Sequence, residues 1–233
     1  MSSPSTRSYT TPRSHKERKI NIILFGATGQ IGQQILKQAL ERGHTVTAFV
    51  RDGAKLDVTH LHLTVVVGDA RDARAVAAAI PGHDAVINAM GPGGPDVSDK
   101  YLDIITDGIR HLLQGMREAG LRRVVVLGSV ATLNAAPAKL LRDLPNFPDF
   151  ARNISGAHLE AWKTLEASGL DWTVICPAPM VEPGERTGQY RTQADLLLGG
   201  GPQLKITTGD VADLLLNEVE QGKYIGHRVN ISY

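Results

Sequence analysis

A short apolar run, Lys19-Ile-Asn-Ile-Ile-Leu-Phe25, leads straight into Gly26-Ala-Thr-Gly29-Gln-Ile-Gly32, and Ile31, Ile35 and Ala39 then recur on one stripe as far as Gly43. This junction constrains the fold more than any other stretch. A β-rich run that is apolar at nearly every position suits a strand covered on both faces, as in a parallel sheet. The stripe after it is one face of a helix, and glycine just beyond is a common helix end. Glycine belongs where backbone must approach a pyrophosphate and where a helix packs close on a sheet. The helix N-terminus then offers free N–H groups to phosphate. Strand, glycine loop and helix in this order are the fingerprint of a dinucleotide site. The alternative is a tight turn that binds nothing.

The rest of the chain repeats the alternation. Strands are expected at 45–50, 63–67, 84–88, 123–127, 172–176 and 229–232, and helices at 71–80, 101–119, 155–168 and 210–220. Alternating strands and helices imply right-handed crossovers and an α/β, doubly wound, parallel sheet of the Rossmann type, with helices on both faces. Segments 130–152 and 177–205 break the rhythm and are rich in proline and glycine. They follow the C-terminal ends of strands, where ligands bind in such sheets, and are expected to be substrate-facing loops. Residues 19–233 are read as one domain with these two insertions.

Residues 1–18 are rich in Ser, Thr, Arg and Pro and lack apolar periodicity, which reads as a flexible tail; a transit peptide is the alternative. The first 19 residues carry five cations against Glu17, so the remainder of this +1 chain has a net charge of −3. Such a body is poorly suited to nucleic acid. Apolar runs such as 124–127 and 214–216 fall far short of the ~20 residues that span a bilayer. The single cysteine, Cys176, excludes an internal disulfide and a cysteine-rich zinc site. A cytoplasmic location is expected.

The end of the second strand bears on the choice of dinucleotide. NAD sites place an acid about 20 residues past the glycine loop, on the ribose hydroxyls. Here Arg51 holds that place, with Asp52 next and Lys55 close by. Cations there suit a 2′-phosphate, so NADP(H) is expected; alternatively Arg51 is a solvated charge and Asp52 takes the ribose. Asp69, in Gly68-Asp69-Ala70, either meets the adenine amino group or caps the helix after it. Gly91 ends Asn88-Ala89-Met90-Gly91 and lets the chain pass beside the ribose, with residues 92–95 as a rigid loop over the site. His60-Leu-His62 has no third metal ligand beside it. Gly128-Ser129 lacks the flanking glycines of a hydrolase elbow. Trp162 is read as core.

Several segments carry a family resemblance: Ile-Leu-Phe-Gly-Ala-Thr-Gly-Gln (23–30), Val-Arg-Asp (50–52), Val-Val-Gly-Asp (66–69), Asp-Ala-Val-Ile (84–87), Leu-Gly-Ser (127–129), His158 with Lys163, and Ala-Ser-Gly-Leu (167–170). They resemble the atypical, extended branch of the short-chain dehydrogenase/reductase superfamily, in its NAD(P)H-binding, NmrA-like group that includes biliverdin-IXβ (NADPH-flavin) reductases. The likeness runs from about Lys19 to Tyr233. It implies a cofactor site of Gly26, Thr28, Gly29, Gln30, Ile31, Gly32, Arg51, Lys55, Asp69, Ala70, Met90, Gly91, Ser129 and Pro177. Thr28, Gly29 and Gln30 would wrap the pyrophosphate, Arg51 and Lys55 would hold the 2′-phosphate, and Asp69 and Ala70 would border adenine.

The catalytic set implied is Ser129, His158 and Lys163. The superfamily's usual acid is a tyrosine four residues before a lysine, but Leu159 stands four before Lys163, and no other tyrosine has the spacing. The reductase group also lacks that tyrosine. It carries a histidine matching His158, able to pass protons, and a second one that Pro179 replaces here. His158 lies about 100° around the helix from Leu159, so the two need not aim at one point. Plain alternatives are a capping hydroxyl for Ser129, a helix-start polar residue for His158 and ribose binding for Lys163. The implied function is NADPH-dependent hydride transfer to a small, flat acceptor (flavin-, quinone- or tetrapyrrole-like) or to a biosynthetic intermediate. The alternative is a non-catalytic NADP sensor. The partner is a small molecule, and monomer and homodimer both stay open.

Overall fold

The structure is a computed structural model that describes residues 19–91, 102–199 and 203–233. The expected tail at 1–18 and the loop at 92–95 lie outside the described residues. The elements run β1 (Asn21–Phe25), α1 (Gln30–Glu41), β2 (Thr45–Val50), β3 (Leu63–Val67), α2 (Ala73–Ala79), β4 (Ala85–Asn88), α3 (Asp103–Ala119), β5 (Arg123–Leu127), β6 (Asn134–Ala136), β7 (Lys139–Leu140), α4 (Arg152–Glu166), β8 (Asp171–Pro177), β9 (Met180–Glu182), β10 (Arg191–Ala194), β11 (Lys205–Thr207), α5 (Thr208–Gln221) and β12 (His227–Ser232). The main sheet has the order β3-β2-β1-β4-β5-β8-β12-β10. It is parallel except for β10, which lies antiparallel on β12. The order reverses between β1 and β4, and the crevice of a doubly wound sheet opens at such a point.

Residue parity explains the two layers. Side chains alternate along a strand, so a strand apolar at every position feeds two cores. Ile22 and Leu24 of β1 join Ile35, Leu36, Val211 and Leu215 in the core under α1 and α5. Ile23 and Phe25 join Val76, Ile109, Leu112 and Leu165 in the core under α2, α3 and α4. β3 departs from the buried pattern because it is the sheet edge, and its Val65 and Val67 are exposed. The expected helix at 71–80 begins later, where Asp72 accepts from the Arg74 and Ala75 N–H groups. Asp72 is therefore the cap, and Asp69 is not.

The two insertions are more ordered than loops. β6 and β7 form a small hairpin, and β9 pairs parallel with β11. Each insertion grips the other, through Asn134 N–H to the Asp195 carbonyl (2.9 Å) and Leu197 N–H to the Asn134 carbonyl (3.1 Å). A buried carboxylate, Asp210 at the start of α5, organises the chain before β10. It accepts from Thr187 N–H and Gly188 N–H (both 2.8 Å), Thr187 Oγ1 (2.7 Å) and the Tyr233 hydroxyl (2.7 Å). Burial works to raise this carboxyl, but the surrounding donors hold it below the usual carboxylate range. No helix among the described residues is long and apolar enough to cross a membrane.

α2 and α3 cross at Gly115, where a Cβ would sit 2.8 Å from Ile80 Cδ1 and 3.0 Å from Ala77 Cα. Overpacking of this kind costs about 1–3 kcal/mol, against roughly 1 kcal/mol of helix propensity gained by alanine. Gly115→Ala is expected to show a net loss of stability in urea unfolding; a gain would mean that the crossing opens freely.

Candidate functional site

The glycine loop shows three different uses of the same residue. Gly26 has φ +87°, and a Cβ there would lie 2.5 Å from the Ala89 carbonyl oxygen, so it lets the end of β1 lie against the end of β4. A Cβ on Gly32 would lie 1.9 Å from the Gly26 carbonyl oxygen, so its bareness seats α1 on β1. Gly29 is different: its Cβ would meet only the Gly26 carbonyl oxygen, at 3.5 Å. The protein itself leaves room for a side chain at Gly29.

Gly29 is also the N-cap of α1 and supplies no side-chain cap. The first backbone bond of the helix is Gln33 N–H to the Gly29 carbonyl, at 2.8 Å. The N–H groups of Gln30, Ile31 and Gly32 are therefore left over, as at any helix start. All three residues line a cleft of about 720 Å³, together with Gly26, Thr28, Gly29, Arg51, Asp69, Ala70, Met90 and Gly91. Unpaired donors, a bare N-cap and a cleft of this size fit the diphosphate of a dinucleotide.

At the far end of the cleft, Arg51 follows β2 and is exposed. Asp52 does not compete for a ribose from the cleft lining: its carboxylate accepts from Ala54 N–H at 3.0 Å and caps the short turn Gly53–Lys55. Lys55 ends that turn, exposed and outside the cleft lining. Asp69 accepts from Arg71 N–H at 3.0 Å. Arg71, which no sequence motif marks, also lines the cleft and makes a two-pronged pair with Asp103 of α3, Nε–Oδ2 2.6 Å and Nη2–Oδ1 2.8 Å. The guanidinium holds the Asp103 carboxyl below its ordinary range. Val181 and Thr208 close the cleft from the C-terminal third, where no motif marks them. Thr208 is held by Gly184, its Oγ1 donating to the Gly184 carbonyl at 3.2 Å.

The expected catalytic residues are not brought together. Ser129 caps the turn Val130–Thr132, its Oγ accepting from Ala131 N–H at 3.3 Å, and lies outside the cleft lining. Pro177 is buried at the end of β8, also outside it. Lys163 is exposed on the outer face of α4, beside Leu159, Glu160 and Thr164 in a shallow depression shared with Arg117 of α3. The cause is helical phase. Leu159 and Lys163 share one face, and the face turned to the sheet carries His158, Ala161, Trp162 and Leu165. The inward pair one turn apart is His158 and Trp162.

His158 lines a small internal gap of about 10 Å³ with Asn88, Met90, Leu127 and Trp162. Met90 and Leu127 also line the cleft, so the gap adjoins it. Trp162 is not simply core. The Arg228 guanidinium lies over its ring, 3.7 Å from the centroid. Arg228 in turn donates to the Thr132 carbonyl and stands 3.5 Å from Asp195, joining α4 to both insertions. Cys176 is buried, and burial pushes its thiol up to about 12, as expected of an inert core residue.

Fold and cleft define a Rossmann-type dinucleotide-binding protein. The NAD(P)H-binding family profile matches residues 26–221, and the chain belongs to that family. The Bacillus subtilis protein YwnB, itself uncharacterised, is 32% identical over 91% of this chain and 97% of its own length. A solved structure from Streptococcus pneumoniae, provisionally named an NADH-flavin reductase, is 26% identical with a TM-score of 0.79, covering 91% of this chain and 99% of that one. Another from Bacteroides thetaiotaomicron, provisionally named an epimerase, is 29% identical with a TM-score of 0.81, covering 93% and 98%.

Burial lowers the His158 imidazole from its ordinary 6.5 to about 4. The unfolded chain then binds the proton more readily than the folded one, so the contribution to stability is complete above about pH 6.5 and is lost as pH falls through about 4. Folding stability is expected to fall over that window, and less so in His158→Gln; identical pH profiles would place the imidazole in solvent.

Proposed function

We propose that the protein is an NADPH-dependent reductase that reduces a small, flat acceptor of the flavin, quinone or tetrapyrrole kind, or a biosynthetic intermediate of similar shape. The observation that carries the dinucleotide part is the bare N-cap at Gly29, followed by three residues that line one cleft and whose N–H groups the helix leaves over. Gln30, Ile31 and Gly32 would hold the diphosphate through their backbone donors. Arg51 would pair with the 2′-phosphate, since Asp52 is occupied by its own turn. Asp69 and Ala70 would border adenine, and Met90 and Gly91 the ribose beyond it. When bound, NADPH supplies a hydride from its nicotinamide ring; the protein contributes binding, orientation and exclusion of water. His158 is the titratable side chain turned inward from α4, and it would offer a hydrogen bond to the acceptor. The likeness to a protein provisionally named a flavin reductase supports a flat acceptor.

A second reading, a cofactor sensor of the NmrA-like type, is favoured by one observation. Lys163 faces outward, so neither half of the superfamily's tyrosine–lysine pair stands at the cleft. Paired titration with NADPH and NADH, followed by NADPH oxidation with flavin or quinone present, separates the two. Tight binding with oxidation supports the reductase; tight binding without oxidation by any acceptor supports the sensor; no binding refutes both.

Two substitutions test the site itself. Gly29→Ala is expected to fold with near-normal stability yet weaken NADPH at least about tenfold, because its methyl enters the space meant for the diphosphate. Retained affinity would remove the central argument. Arg51→Ala is expected to weaken NADPH by tenfold or more, about 1.4 kcal/mol, and NADH much less. Equal losses for the two would end the 2′-phosphate assignment.

A further inference from the structure

The indole Nε1–H of Trp162 is buried and has no hydrogen-bond partner among the described residues. An orphan buried donor is expensive, costing roughly 1–3 kcal/mol, and native proteins normally satisfy such groups, often with ordered water. Trp162 borders the internal gap of about 10 Å³, at the lower end of the ~10–15 Å³ needed to hold one water. The gap is not purely apolar. Asn88 and His158 also line it. Asn88 Oδ1 accepts from Met90 N–H at 3.0 Å and, with two lone pairs on the amide oxygen, can accept a second bond. Among the described residues neither ring nitrogen of His158 has a hydrogen-bond partner.

We propose that this gap is a site for one structural water, which accepts from Trp162 Nε1–H and donates to Asn88 Oδ1 and to one ring nitrogen of His158, thereby fixing the imidazole in a single tautomer. The chemistry leaves little choice. Tryptophan is donor only, so the water must accept from it, and both of its hydrogens then need acceptors. The amide oxygen is one. The other is an unprotonated imidazole nitrogen, available because burial keeps His158 neutral near pH 7. The remaining proton is then confined to the other ring nitrogen. Trp162 is a positioning residue in this scheme. Its own place is set by Arg228, stacked on its ring and bonded to the Thr132 carbonyl. The two insertions therefore reach His158 through Arg228, Trp162 and the water. That the fixed N–H serves as a donor to the acceptor being reduced rests on the reductase reading above.

The test is made first on the ligand-free protein by nitrogen-15 NMR at neutral pH, with His158 assigned through His158→Gln. The wild type is expected to show one tautomer at His158 and magnetisation transfer from a bound water to the Trp162 indole N–H. In Trp162→Phe the His158 nitrogens should move toward a tautomer mixture. A mixture already present in the wild type, an unchanged tautomer in Trp162→Phe, or a dry indole N–H would each overturn the proposal. Should Trp162→Phe fail to fold, the water contact in the wild type decides alone, with the indole signals assigned through Trp172→Phe. In turnover with flavin, Trp162→Phe is expected to lower kcat about tenfold, as lost outer partners commonly do, at unchanged NADPH affinity. A wild type that binds NADPH but reduces nothing would refute the reductase reading and leave the water and tautomer results standing.

Discussion

The contact on which the rest depends is backbone against backbone, where β1 ends, α1 begins and β4 passes alongside. At Gly26 the chain turns with positive φ against the Ala89 carbonyl, and at Gly32 the helix lies directly over the Gly26 carbonyl. A single methyl at either place would overlap backbone that cannot move aside cheaply. Because the helix sits so close, its first turn lies at the crevice between β1 and β4, and Gln30, Ile31 and Gly32 line the cleft there. The fold and the candidate anion site are thus one feature.

The same closeness propagates outward. A sheet covered on both sides needs strands that feed two cores, and β1, β2, β5 and β8 do so by simple alternation. Helices packed on both faces leave the strand ends as the open side. There the chain spends its polar side chains on itself: Asp52 on its own turn, Asp72 on α2, Asp210 on the residues before β10. What is left uncommitted at the rim among the described residues, Arg51 and the α1 donors, is what a phosphorylated ligand would meet. Arg71 and Asp103 tie the start of α3 to that rim.

Phase around a helix decides the other half of the site. Four-residue spacing puts Leu159 and Lys163 on one face of α4, but spacing says nothing of which face meets the sheet. Packing settles it, because Ala157, Ala161 and Leu165 are the residues that fill the core. His158 and Trp162 follow them inward, and Lys163 is carried to solvent. Arg228, remote in sequence, then stacks on Trp162 and links the two insertions to it.

The sequence alone determined the strand–glycine–helix junction, the alternation that makes a doubly wound sheet, and Arg51 at the end of β2. These are local: a strand's parity, a turn that only glycine permits and the residue next in line are written within a few positions of one another. The tertiary structure decided what depends on distant segments. It turned Lys163 outward, made Asp72 the helix cap in place of Asp69, left Lys55 and Pro177 off the cleft, and brought Val181 and Thr208 to it. It also set an orphan indole donor beside a neutral histidine. No run of neighbouring residues encodes these placements, because each is the outcome of which apolar faces bury together and which side chains are then carried along.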